Sequence, residues 1–145
     1  MTVHLLKLCV GVDTVQELKD WQDERLRRLA RAGKTAELCH RTLQTPRRRD
    51  EILDGGSLYW VIRGEVMCRQ RLIDIRPFVD KEGVGRCHLV LEPKLTLVEP
   101  RPRRAFQGWR YLEAKDSPRD LARAAPGRKN MPEALRRELR ELGLL

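Results

Sequence analysis

The sequence predicts an α+β protein, a small curled antiparallel β-sheet or barrel with helices at its ends. Two observations point there. Short runs rich in β-branched and aromatic residues recur between glycine- and proline-bearing breaks, while helical periodicity is confined mainly to a stretch near each terminus. The densest of these runs, Gly55–Ile75, reads as a hairpin with strands at Leu58–Ile62 and Glu65–Ile75. Its turn is Arg63-Gly64, where glycine takes a positive φ without steric cost. This hairpin is expected to form the centre of the sheet.

The other elements follow in order. Val3–Val10 (VHLLKLCV) is a short strand stopped by Gly11. Asp13-Thr14 with Glu17 makes a capping box, and Val15, Leu18, Trp21, Leu26, Leu29 and Ala30 recur at helical spacing as far as Gly33. One amphipathic helix is therefore expected over 15–32, with Arg25, Arg27, Arg28 and Arg31 on a solvated face that suits the helix dipole. Lys34–Gln44 alternates as a strand with one mixed face. Thr45-Pro46 opens a short helix that turns Ile52 and Leu53 inward and leaves Arg47–Arg49 exposed. Beyond the hairpin, Pro77 closes the second strand, Lys81–Gly85 is a turn, and Arg86–Glu92 and Lys94–Glu99 are strands parted by Pro93. Pro100 and Pro102 forbid a central strand, so 100–111 reads as an extended crossing segment. Residues 112–127 resemble a linker in which Ser117 caps a short turn, and Asn130, Pro132 and Glu133 start a last helix over about 131–142.

The length of 145 residues fits one domain, 1–145, burying roughly 70% of its unfolded surface. Thirty Lys and Arg against twenty-one Asp and Glu leave a net charge of +9, which favours a polyanionic partner. Arginine dominates the basic set, and its planar fork suits phosphates and base edges. Codon bias in a GC-rich genome would also enrich arginine without any such partner. The four cysteines form no Cys-x-x-Cys knuckle and read as free thiols of a reducing cytosol, so a cytoplasmic location is expected. No signal peptide or membrane-spanning run is expected. None of the three histidines stands at a zinc-ligand spacing, and no phosphate-binding loop, dinucleotide fingerprint or nucleophile elbow is present, so neither metal nor cofactor is expected.

Two resemblances add to this reading. Gly55–Gly64 (GGSLYWVIRG) and Glu99–Tyr111 (EPRPRRAFQGWRY) resemble an uncharacterised family of small basic alphaproteobacterial proteins, a domain of unknown function, across nearly the whole chain. More remotely, a strand, a helix, Gly33-Lys-Thr-Ala-Glu37, and then Leu53-Asp-Gly-Gly-Ser57 before a strand is similar to the ASCH and PUA-like superfamily. That resemblance implies a PUA-like barrel that binds RNA or modified nucleotides, or in a few cases hydrolyses modified nucleosides. Lys34 and Glu37 occupy the Lys and Glu places of its Gly-x-Lys-x-x-Glu-x-Arg motif. Cys39 stands at the Arg place, and Arg41, on the same strand face, would substitute for it.

The residues themselves suggest two candidate regions. Lys34 and Glu37 at a helix-to-strand junction could turn into a cleft, the lysine toward phosphate and the carboxylate toward base N–H donors, with Arg41 adding a bidentate or stacking contact. Arg101, Arg103, Arg104 and Arg110 interleave with Phe106, Trp109 and Tyr111, and three of the chain's seven aromatics fall here. Guanidinium groups for phosphates and ring faces for bases are what a binder of single-stranded RNA needs. Tyr59, Arg69 and Arg71 would form one wall of that site. The resulting expectation is a non-catalytic RNA-binding module. The alternatives are a small hydrolase using Lys34 and Glu37 as acid and base, and a basic adaptor for an acidic protein.

Overall fold

The structure is a computed structural model describing residues 1–121. The expected last helix at 131–142 lies outside the described residues. Those residues contain seven strands, β1 (Val3–Leu8), β2 (Leu38–Thr42), β3 (Ser57–Ile62), β4 (Glu65–Val79), β5 (Gly85–Leu91), β6 (Thr96–Pro102) and β7 (Trp109–Glu113). Two helices, α1 (Val15–Arg31) and α2 (Arg49–Leu53), and a 3₁₀ turn at Ala114–Asp116 complete them. The α+β class holds.

The sheet is mixed and open rather than an antiparallel barrel. Its order is β2-β5-β4-β3-β1-β7, with β6 also paired to β4. β1 runs parallel to β3, because the connection between them is long enough to cross over through α1, β2 and α2. The predicted hairpin is its centre: β3 and β4 pair antiparallel across Arg63-Gly64, whose φ values of 51° and 79° make the two-residue turn that matches strand twist.

β4 is longer than the sequence suggests and passes through Pro77, which pairs with Cys87. Its partnership with β3 covers only Ser57–Ile62, so the end of β4 has β5 on one side alone, and a residue without an N–H is tolerated there. Pro100 and Pro102 sit in β6 for the same reason, since its ladder runs only to β4. The expected crossing segment thus divides into the end of β6, a loop, and β7 paired with β1. Ser117 closes the turn after it, its hydroxyl donating to the Ala114 carbonyl.

The helices differ from expectation in instructive ways. Thr14 accepts the Glu17 amide at 3.1 Å, as a capping box requires. The buried stripe of α1 is Val15, Leu18 and Gln22, whereas Trp21, one position off it, is 51% exposed. The predicted strand at Lys34–Gln44 is confined to 38–42, because Gly33 (φ 70°) and the Lys34 N–H, which donates to the Leu29 carbonyl, close α1 first. α2 starts at Arg49 without a side-chain cap rather than at Thr45-Pro46. The Arg47 and Arg48 amides are satisfied from β7 instead, by the Tyr111 hydroxyl at 2.9 and 3.2 Å.

That contact shows how far the sheet curls. β2 and β7 stand last at opposite ends of the strand order, yet Trp109 Nε1 donates to the Gln44 carbonyl at 2.8 Å, beside the Tyr111 bonds. Side chains bridge the seam where a closed barrel would have a ladder. The main core, on the inner face, gathers Leu5, Leu58, Trp60, Leu72, Ile75 and Leu89 beneath α1 and Ile52 of α2. Leu6, Tyr59, Val61, Val66 and Val98 form a smaller cluster on the outer face, with Phe106 and Leu112 against it.

Candidate functional site

Strand register assigns the candidate residues to faces. Arg101 pairs with Val66, Arg110 with Leu6, and Arg69 with Tyr59, and each of these partners belongs to the outer cluster. Arg71, opposite Ser57, continues that face. Tyr59, Arg69, Arg71, Arg101 and Arg110, far apart in sequence, therefore share one side of the sheet. Arg103 joins them from the loop after β6, tied by its N–H to the Gly64 carbonyl at 2.8 Å.

These residues play different parts. Arg69 grips Asp120 through two bonds of 2.8 and 2.7 Å and the Ser57 hydroxyl at 2.9 Å, so its charge is spent holding the segment after β7. Those bonds to Asp120 are the main force raising its affinity for its proton. Tyr59 is 3% exposed, and burial pushes its phenol up. Its ring contacts His4 edge-on. Both residues support the face from beneath.

The arginines around them remain charged and accessible. Arg71, Arg101, Arg103, Arg104 and Arg110 are exposed, and none has a carboxylate partner among the described residues. Arg103 and Arg110 each lie 5.2 Å from the centre of the Phe106 ring, and Arg101 donates to the main-chain oxygen of Asp116. Contacts to a ring or a carbonyl orient a guanidinium without neutralising it. Arg101 and Arg103 border a groove of about 340 Å³ floored by Leu6, Val66 and Leu112. Arg63, at the tip of the β3–β4 turn, is exposed next to the Gly64 carbonyl that holds Arg103. In the sequence Arg63 stands out only as a turn residue.

The remaining candidates lie elsewhere. Trp109 belongs to the inner face, packed on the main core and committed to the seam. Lys34 is exposed just past α1, its N–H bonded to the Leu29 carbonyl and its ammonium without an ion pair among the described residues. Glu37 is bound by Arg76 at 2.9 Å. Arg41 stacks over Phe78 at 5.5 Å, in a row with His88 and Arg76 toward the other end of β4. Lys34 and Glu37 line neither the groove nor the cleft described next.

The inner face holds a cleft of about 410 Å³ that no sequence motif announced. It opens between α1, the end of β1 and β2, and its polar members are Lys7, Gln22, His40 and the thiols of Cys9 and Cys39. Lys7 stands in register between Trp60 of β3 and Trp109 of β7. Burial lowers the Lys7 amine from its ordinary value and pushes the Cys9 thiol up to about 11. Burial also lowers His40 to about 4, with the charges of Lys7 and Arg25 adding to the effect. His40 packs edge-on against Trp60 at 5.1 Å. Gln22 and Gln70 exchange a reciprocal pair of amide hydrogen bonds of 2.9 and 2.8 Å, and Gln70 also accepts from Trp60 Nε1 at 2.8 Å.

None of the four cysteines is in a disulfide among the described residues; Cys68 and Cys87 are buried and Cys9 and Cys39 half-buried. Among the described residues no group of three or more His, Cys, Asp or Glu could hold a metal ion. No helix among them is long and apolar enough to cross a membrane.

Fold and site together define a basic α+β protein whose open sheet carries an arginine-rich outer face and an apolar inner cleft. The chain belongs to the family described as "Protein of unknown function (DUF1489)", whose model matches residues 5–145. No curated protein and no solved structure matches it.

Proposed function

We propose that this chain is a non-catalytic RNA-binding module whose outer face takes the phosphate backbone of a single-stranded or locally unpaired segment. The observation that carries the reading is the set of exposed arginines, Arg71, Arg101, Arg103, Arg104 and Arg110, without carboxylate partners among the described residues. Many arginines elsewhere are paired, Arg48 with Glu51 and Glu113, Arg49 and Arg76 with Asp74, Arg86 with Asp80. Arg25, Arg41, Arg47 and Arg63 also lack a carboxylate among the described residues, so it is the grouping on one face that carries weight. Unpaired guanidinium groups gathered on one face raise the local potential and release counterions when phosphates replace them. Phe106, between Arg103 and Arg110, offers a ring on which a base stacks once the arginines turn to phosphate. The curled sheet with helices over its inner face supports kinship with PUA-like domains, and four cysteines outside any disulfide among the described residues support a reducing cytoplasm.

The test is a salt titration of a fluorescent single-stranded RNA oligomer. Four phosphate contacts give a slope of log K against log salt of about −3. Arg103→Ala with Arg104→Ala should make that slope shallower by about 1.4 without lowering Tm, because the Arg103 main-chain bond to Gly64 survives. An affinity indifferent to salt refutes the proposal.

A further inference from the structure

We infer that the inner cleft is a second, small-molecule site, for a largely apolar monoanion such as an aryl or short-chain carboxylate whose charge is met by Lys7. The volume of about 410 Å³ falls within the range of ordinary ligand pockets. Its walls are chiefly Val12, Leu18, Leu38 and Leu91 with Trp21 and Trp60. Val10, 88% exposed, and Trp21 extend that apolar surface to the rim, where water would otherwise cover it.

The electrostatics select the ligand. Among the described residues Lys7 is the one basic side chain that lines the cleft apart from the neutral His40, and no carboxylate lines it. Among the described residues it has no ion-pair partner, although it is half-buried between two tryptophans in register. An ammonium in such surroundings gains most from an anion that brings little else to solvate. The other polar groups have little to offer a ligand. Gln22 is engaged by Gln70, His40 is held neutral against Trp60, and the Cys9 thiol stays protonated. A nucleobase needs several directed hydrogen bonds from its pocket, whereas a hydrophobic body with one carboxylate needs a single cation and apolar walls. The site is independent of the RNA reading, since it occupies the opposite face of the sheet and uses none of the outer arginines.

The probe is 2-naphthoate, added to the full chain and followed by tryptophan fluorescence, with neutral 2-naphthylmethanol as its partner. Naphthoate should bind saturably and at least about tenfold more tightly than the alcohol, the worth of one charge-assisted contact. Lys7→Met should remove that difference and leave the alcohol unchanged, with Tm kept close to that of the parent. Val12→Phe, which fills the cleft without touching Lys7, should weaken both probes, and it decides the matter if the Lys7 variant fails to fold. Equal affinity for acid and alcohol, naphthoate binding indifferent to Lys7→Met, or no saturation at millimolar concentration overturns the inference. Displacement of naphthoate by uridine or adenosine monophosphate at lower concentration overturns it in favour of a nucleotide. The Arg103/Arg104 variant should bind naphthoate like the parent, so loss of RNA binding and loss of the anion site are separately visible.

Discussion

Replacing Gln70 by methionine, close to it in length and volume, tests the buried polar network that fixes α1 to the sheet. Gln70 is fully buried, and its amide makes four hydrogen bonds: from Gln22 and Trp60 to its oxygen, and from its nitrogen to Gln22 and the Glu92 carbonyl. Methionine keeps the packing and deletes all four. The Trp60 indole N–H is then stranded within the core, and Gln22, 4% exposed, loses both its partners. Each stranded group costs about 1–3 kcal/mol, and water reaching Gln22 through the cleft offsets part, so the expected loss is about 3 kcal/mol. For a chain of 145 residues that lowers Tm by about 10 °C. Thermal and urea denaturation read it directly. Adding Gln22→Met should restore about 1 kcal/mol, since both ends of the amide pair are then apolar, although the indole remains unsatisfied. A Tm within about 3 °C of the parent for Gln70→Met, or a double variant whose loss equals the sum of the singles, refutes the claim that the amides act as one unit.

Two further outcomes are expected. Gly56→Ala places a Cβ 2.3 Å from the Ile52 carbonyl oxygen and 2.4 Å from that of Val3, so α2 and β1 must part, at a cost of about 3 kcal/mol in chemical denaturation. Gly85→Ala meets nothing within 4 Å and should stay within about 0.5 kcal/mol; equal effects at the two glycines would show that propensity, not close approach, sets the cost. His40, lowered to about 4 in the fold against about 6.5 unfolded, takes up its proton more readily in the unfolded chain. Its contribution is complete above pH 6.5 and lost as pH falls toward 4, on the order of 2 kcal/mol after allowance for partial exposure. His4 and His88, lowered mainly by burial, act in the same direction. Denaturation midpoints between pH 4 and 7 should therefore fall less steeply for His40→Gln, and parallel curves would count against a buried neutral imidazole.

The legible parts of this fold are those whose cause is local. Thr14 and Glu17 mark the start of α1 because the cap bond spans three residues, and Arg63-Gly64 marks the hairpin because Gly64 takes a positive φ without steric cost between two strand-forming runs. The illegible parts have distant causes. Gln22 reads as a surface residue until Gln70, on another strand, supplies its hydrogen bonds. The start of α2 is hidden because the amides just before it, those of Arg47 and Arg48, are bound by Tyr111, which no local pattern can show. Prolines at 77, 100 and 102 were read as breaks because their tolerance depends on how many neighbours a strand has.

The same division runs through the sites. An excess of arginine, and its concentration at 101–110, are properties of the sequence alone, and they suffice to suggest a polyanionic partner. The sequence also determined the central hairpin, α1 and the α+β class, since periodicity and turn chemistry need no partner element. Only tertiary structure decided which arginines have their charge balanced by a carboxylate, because the partner of Arg69 is Asp120, fifty-one positions away. Only tertiary structure set Lys7 between Trp60 and Trp109 on the inner face, since β1 acquires its neighbours by a parallel crossover and by the return of β7. Charge is carried by residues, but what a charge faces is settled by which strands lie side by side.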